Sequence, residues 1–135
     1  SDRFHALSGQ IKQTETALKA NAELKAATVQ YAKTRPVFDK YKASKYSRKF
    51  LAEHEADIEL YRAAQADMRR LLGGAKLPKM EAQKEEGRKL IAKKKRLYGE
   101  YQKARRDMQE VLTIKANIDC LLGYSEPARK KEMER

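Results

Sequence analysis

Residues 31–50 read YAKTRPVFDKYKASKYSRKF. Seven Lys or Arg stand against one Asp, and Tyr31, Phe38, Tyr41, Tyr46 and Phe50 are interleaved with them. Pro36 interrupts the helical pattern here, because a proline pushes the preceding residue out of helical geometry. The segment therefore predicts a corner at 35–47 between two helices, with a short helical turn from Pro36 to Lys42. Cations neutralise phosphates, and aromatic faces either stack on bases or pack a core.

On the N-terminal side, Phe4, Leu7, Ile11 and Leu18 form an apolar stripe, which predicts a first helix over about 3–34. Thr14, Asn21 and Thr28 dilute this stripe, and Leu24 sits about one position off it, so the seam reads as weak. On the other side, Ser47 is a suitable N-cap. Leu51, His54, Ile58, Tyr61, Gln65, Met68 and Leu72 alternate spacings of three and four, which predicts a second helix over 48–72. Gly73 and Gly74 stop it, since glycine tolerates the left-handed C-terminal position. After a KLPK loop at 76–79, Leu90, Leu97, Tyr101, Ala104, Met108, Val111, Ile118 and Leu122 follow a heptad track, broken at Lys94 and Lys115. That predicts a third helix over 79–122, with Gly87 and Gly99 each costing about 1 kcal/mol against Ala. No stretch alternates like a strand. The expectation is an all-α, elongated bundle of three long helices forming one domain over 1–123, with a polar tail at 124–135. The third helix outruns the second, so Met108 to Leu122 needs cover from elsewhere, a homodimer being one source.

Composition bounds the function. The chain has 135 residues, 37% charged, with a formal net charge of +12. That balance argues for an anionic partner, with nucleic acid first and a membrane surface second. Residues 31–50 carry +6, and residues 76–106, with twelve basic and four acidic side chains, carry +8. Lys93, Lys94, Lys95 and Arg96 are the densest basic run. Cys120 is the only cysteine, which fits a reducing cytoplasm and excludes an internal disulfide. No apolar run has the roughly 20 residues needed to cross a bilayer, so membrane insertion is not expected. The chain opens SDRF without a methionine and reads as a piece of a longer protein or a processed chain.

Catalytic signals are lacking. Gly73-Gly74 has no following Lys-Ser or Lys-Thr to make a phosphate loop. His5 and His54 lie in different helices, and His54 on the inward track is more often a hydrogen-bonded boundary residue than a ligand. No catalytic residue, metal ligand or cofactor is expected. Tyr98 and Tyr101 read as core, whereas Tyr41 and Tyr46 divide evenly between core and contact.

TRPVFDKYKASKYSRKFLAEHEADIELYRAA, the KLPK loop and the helix IAKKKRLYGEYQKARRDMQEVLTIKANIDCLLG together resemble the C-terminal helical region of relaxase/mobilisation proteins of Gram-positive conjugative and mobilisable elements. The likeness runs from about Leu24 to Gly123 and is densest from Tyr31 to Ala64. Tyr31, Thr34, Arg35, Tyr41, Lys42, Tyr46, Ser47, Phe50, His54 and Ile58 are the family-like positions. The resemblance implies descent from a DNA strand transferase whose tyrosine nucleophile and histidine-held metal belong to a separate catalytic domain. That domain, a partner of this region, has no counterpart in this sequence. The implied role is a non-catalytic accessory region that helps hold DNA. Arg35, Lys42, Lys45, Arg48 and Lys49 would contact phosphates from the corner, and Lys93, Lys94, Lys95 and Arg96 from the long helix. Tyr41 or Tyr46 would stack on unpaired bases. The competing reading is a coiled-coil module that dimerises or docks other transfer proteins through Met108 to Leu122.

Overall fold

The computed structural model describes residues 2–123, so the expected tail at 124–135 lies outside the described residues. The described chain is all-α: α1 (Asp2–Ala43), α2 (Arg48–Glu53), α3 (Glu55–Leu72) and α4 (Met80–Leu122). It divides into two compact units, residues 12–94 and residues 2–11 with 95–123.

Within the 12–94 unit, two boundaries differ from expectation. α1 does not stop before Pro36 but carries it inside the helix and ends at Ala43. The corner expected at 35–47 is thereby reduced to Ser44–Ser47. An internal proline removes one amide and costs about 3 kcal/mol. Here the carbonyl left over belongs to Ala32, which is exposed to water. One turn earlier, the Thr34 hydroxyl donates to the Gln30 carbonyl at 2.7 Å. Beyond the proline, Phe38 stacks on Tyr61 at 4.1 Å and Tyr41 is buried. Burying aromatic side chains releases more free energy than the proline withholds.

The expected second helix is bent at His54, which has φ −125° and ψ 26° and separates α2 from α3. Backbone bonding continues on both sides of the bend, from the His54 amide to Phe50 and from the Ile58 amide to the His54 carbonyl. The bend places Phe50 under Tyr41 at 6.1 Å while Ile58, Tyr61 and Ala64 fill the core from α3. The His54 ring packs on Phe50 at 4.3 Å, a boundary position. The alternating track from Leu51 to Leu72 is half-buried or buried throughout, and Gly73 caps α3 at φ 54°.

The weak seam of α1 is a polar ladder. Thr14 is buried. Asn21 donates to the Gln83 carbonyl at 2.9 Å, and the buried Gln83 amide donates to Thr28 Oγ1 at 3.1 Å and to the Pro78 carbonyl at 3.0 Å. Gln83 Oε1 has no hydrogen-bond partner among the described residues. At Gly87 α4 runs close against α1: a Cβ there would stand 2.8 Å from Asn21 Oδ1. Beyond Asn21 the inward positions of α1 shift register to buried Ala27, Thr34 and Tyr41 with half-buried Tyr31 and Phe38, which is why Leu24 falls off the first stripe.

In the other unit, Leu7 and Ile11 pack on Leu97, with Tyr101 and Ala104 against them, and Phe4 lies 4.6 Å from the Tyr101 ring. The heptad track of α4 is thus buried or half-buried from Leu90 to Met108, whereas Val111, Leu112, Ile114, Ile118, Leu121 and Leu122 are exposed.

Candidate nucleic-acid interface

The basic-aromatic segment sorts its side chains by type. Lys33, Arg35, Lys40, Lys42, Lys45, Arg48 and Lys49 are all exposed. Four of the five aromatics turn inward. Tyr31 stacks on Tyr61 at 4.9 Å, Phe38 on the same ring, Phe38 meets Tyr41 edge-on at 5.9 Å, and Tyr41 continues to Phe50. Offset-stacked and edge-to-face pairs each add about 0.5–1.5 kcal/mol beyond burial. The result is a rigid aromatic spine that fixes where the cations stand.

Tyr41 and Tyr46, equal candidates in sequence, part company here. Tyr41 is only 6% exposed, so it is a core anchor and not a base-stacking platform; Tyr46 is 56% exposed. Backbone geometry explains the split. The Tyr46 amide donates to the Tyr41 carbonyl at 3.0 Å, and the Lys45 amide to the Lys42 carbonyl at 2.9 Å. This 6→1 and 5→2 pair is a Schellman motif, with its usual apolar contact supplied by the Tyr41–Tyr46 edge-to-face pair at 5.2 Å. The left-handed position that glycine normally fills is Lys45 at φ 57°, followed by Tyr46 at φ 59°. Each costs about 1–2 kcal/mol for an L-residue. Ser44 Oγ donates to the Tyr41 carbonyl at 2.6 Å and accepts from the Ser47 amide, while Ser47 Oγ accepts from the Phe50 amide at 3.3 Å as the expected N-cap.

Lys42, Lys45, Arg48 and Lys49 hold no ion pair among the described residues. Arg35 lies 3.8 Å from Asp39 and 6.0 Å over the Tyr31 ring, so its charge is partly compensated. Behind the spine, burial and then the hydrogen bond with Tyr31 push the Tyr61 phenol up to about 12. Its hydroxyl donates to Tyr31 Oη at 3.3 Å.

The second basic run is differently placed. Consecutive residues advance about 100° around a helix, so Lys93, Lys94, Lys95 and Arg96 form a collar on α4 rather than one patch. Lys94 is half-buried and pairs with Glu15 at 3.7 Å. Arg96 pairs with Glu100 at 3.3 Å. Lys93 and Lys95 are exposed, but about 200° apart around the helix, so they do not address one ligand together.

No group of three or more His, Cys, Asp or Glu stands together as a metal site among the described residues. None of the described helices is long and apolar enough to cross a membrane. Sequence reasoning missed a groove of about 700 Å³ between α1, α3 and the start of α4, lined by Val29, Leu60 and Met80 with Lys25, Lys33 and Lys84. No local pattern announces a groove, because its walls come from three segments, residues 25–34, 57–60 and 80–84, that lie apart in sequence. Comparison with protein families, with curated proteins and with solved structures finds no match for this chain.

Proposed function

We propose that this chain is a non-catalytic helical accessory module that holds DNA by its phosphates at the Ser44–Ser47 corner. It would serve a relaxase of the mobilisation type beside that enzyme's nicking domain in the reducing cytoplasm. The observation that carries the reading is the set Lys42, Lys45, Arg48 and Lys49, exposed and without ion pairs, on a turn fixed by the Schellman motif and the aromatic spine. The hydrogen-bonded turn orders the backbone that carries these cations before any contact is made, and phosphate contacts carry no sequence information. Low specificity follows. Tyr46 is the one corner aromatic exposed enough to stack on an unpaired base.

A salt series with single- and double-stranded oligonucleotides tests this. Four phosphate contacts give log–log slopes of roughly −3.6 on duplex and −2.8 on single strands. Tyr46→Ala should weaken single-strand binding by roughly 1–3 kcal/mol and spare duplex. Tyr41→Ala should instead destabilise the fold, by roughly 3 kcal/mol. Absence of binding at low salt defeats the reading. A second reading, an interaction module for dimerisation or for docking transfer proteins, is favoured by the exposed apolar stripe of α4 from Val111 to Leu122. The two roles are compatible, since they use different residues.

A further inference from the structure

The groove and the stripe have complementary chemistry. The groove presents exposed aliphatic side chains, Val29 at 43% and Leu60 at 45%, beside half-buried Met80. Lys25 and Lys33 from α1 and Lys84 from α4 also line it, against one acid, Asp57. Lys84 pairs with exposed Glu81 at 3.9 Å, an ion pair of little strength at the surface. Along α1 the lining runs from Lys25 to Thr34, about 13 Å at 1.5 Å per residue.

The stripe answers each feature. Val111, Ile114, Ile118 and Leu121 are all half or more exposed. At 100° per residue they fall within an arc of about 80°, over a length of about 15 Å. This is the spacing with which an amphipathic helix enters an apolar groove. Glu110 lies just beyond one edge of the arc and Asp119 on the other flank. Residues 107–123 carry three acids and one base, a net −2, in a chain of net +12. The single base, Lys115, has its counterpart in the groove's single acid, Asp57.

We infer that the groove of one copy receives the Val111–Leu121 stripe of a second copy, a head-to-tail contact of unlike surfaces. This deepens the second reading above by naming the surface that covers the stripe. Unlike surfaces of this kind close into a dimer when two contacts are reciprocal and otherwise propagate into chains.

Sedimentation velocity on three proteins tests it: wild type, Leu60→Asp in the groove, and Ile118→Asp on the stripe. Both substitutions fall on exposed positions, and unchanged helicity by circular dichroism checks the fold. Wild type should self-associate, and each variant alone should associate at least about tenfold more weakly, because a buried unpaired carboxylate is costly. An equimolar mixture of the two variants should form a one-to-one complex, since each supplies the surface the other lacks. Lys33→Glu with Lys84→Glu should also weaken association, and adding Glu110→Lys with Asp119→Lys should restore it. A mixture that stays monomeric overturns the contact. If Leu60→Asp associates like wild type while Ile118→Asp does not, the stripe pairs with something other than the groove. A wild-type chain that remains monomeric at high concentration removes self-association by either surface.

Discussion

Replacing Lys45 with glycine should make the protein more stable and its DNA binding weaker, an unusual pairing with one structural origin. Lys45 occupies the left-handed position of the Schellman motif at φ 57°. An L-residue there is disfavoured by about 1–2 kcal/mol, whereas glycine is not. Glycine gives back part of this through the greater freedom of its unfolded chain, about 0.5–1 kcal/mol. Lys45 is exposed and without an ion pair among the described residues, so its side chain contributes little compensating contact. The net gain is about 0.5–1 kcal/mol. At an m-value near ~1.5 kcal/mol/M this raises the urea midpoint by roughly 0.3–0.7 M with m unchanged. In the same protein the duplex salt slope should flatten by about 0.9, the share of one phosphate contact. Lys45→Asn, which tolerates the left-handed region and is uncharged, should reproduce the flatter slope without a loss of stability. A lower urea midpoint for Lys45→Gly would refute the backbone account. An unchanged slope would remove Lys45 from the DNA contact while leaving the backbone account intact.

Two glycines of α4 should respond in opposite directions. Gly99→Ala meets nothing within 4 Å and should stabilise by about 0.5–1 kcal/mol. Gly87→Ala drives a methyl to 2.8 Å from Asn21 Oδ1, an overpacking cost of about 1–3 kcal/mol that exceeds the helix-propensity gain of about 1 kcal/mol, so it should destabilise by up to about 2 kcal/mol, with both effects read by urea denaturation. Tyr61 gives a pH signature: its folded phenol holds its proton up to about 12, above the ordinary 10, so the folded state binds more protons in that window. Stability should therefore fall as pH rises from 10 through about 12, and Tyr61→Phe should flatten that fall in denaturation curves taken across the window.

Much of the architecture was legible locally. The spacings of three and four from Leu51 to Leu72, the Ser47 cap, the Gly73 stop and the heptad from Leu90 to Met108 each act within one or two turns of helix. They therefore survive into the folded chain. The seven exposed cations of 31–50 were equally foreseeable, because a charge without a buried partner stays in water. What local rules could not settle was where packing outweighs them. Pro36 is a stop by local rules, a preference of about 3 kcal/mol, which the burial of Phe38 and Tyr41 against α2 and α3 exceeds. Tyr41 and Tyr46, alike in residue type and in basic neighbours, are separated only by the turn at Lys45, which directs one ring inward and leaves the other in solvent. The polar ladder of Asn21, Gln83 and Thr28 looked like dilution of a seam, since its partners are more than fifty residues apart in sequence. The sequence by itself determined that the described chain is helical and that the cations of 31–50 stay in water. The tertiary structure decided which helices bend, which tyrosine is available, and where an apolar groove opens, because those outcomes depend on contacts between segments whose separation along the chain hides them.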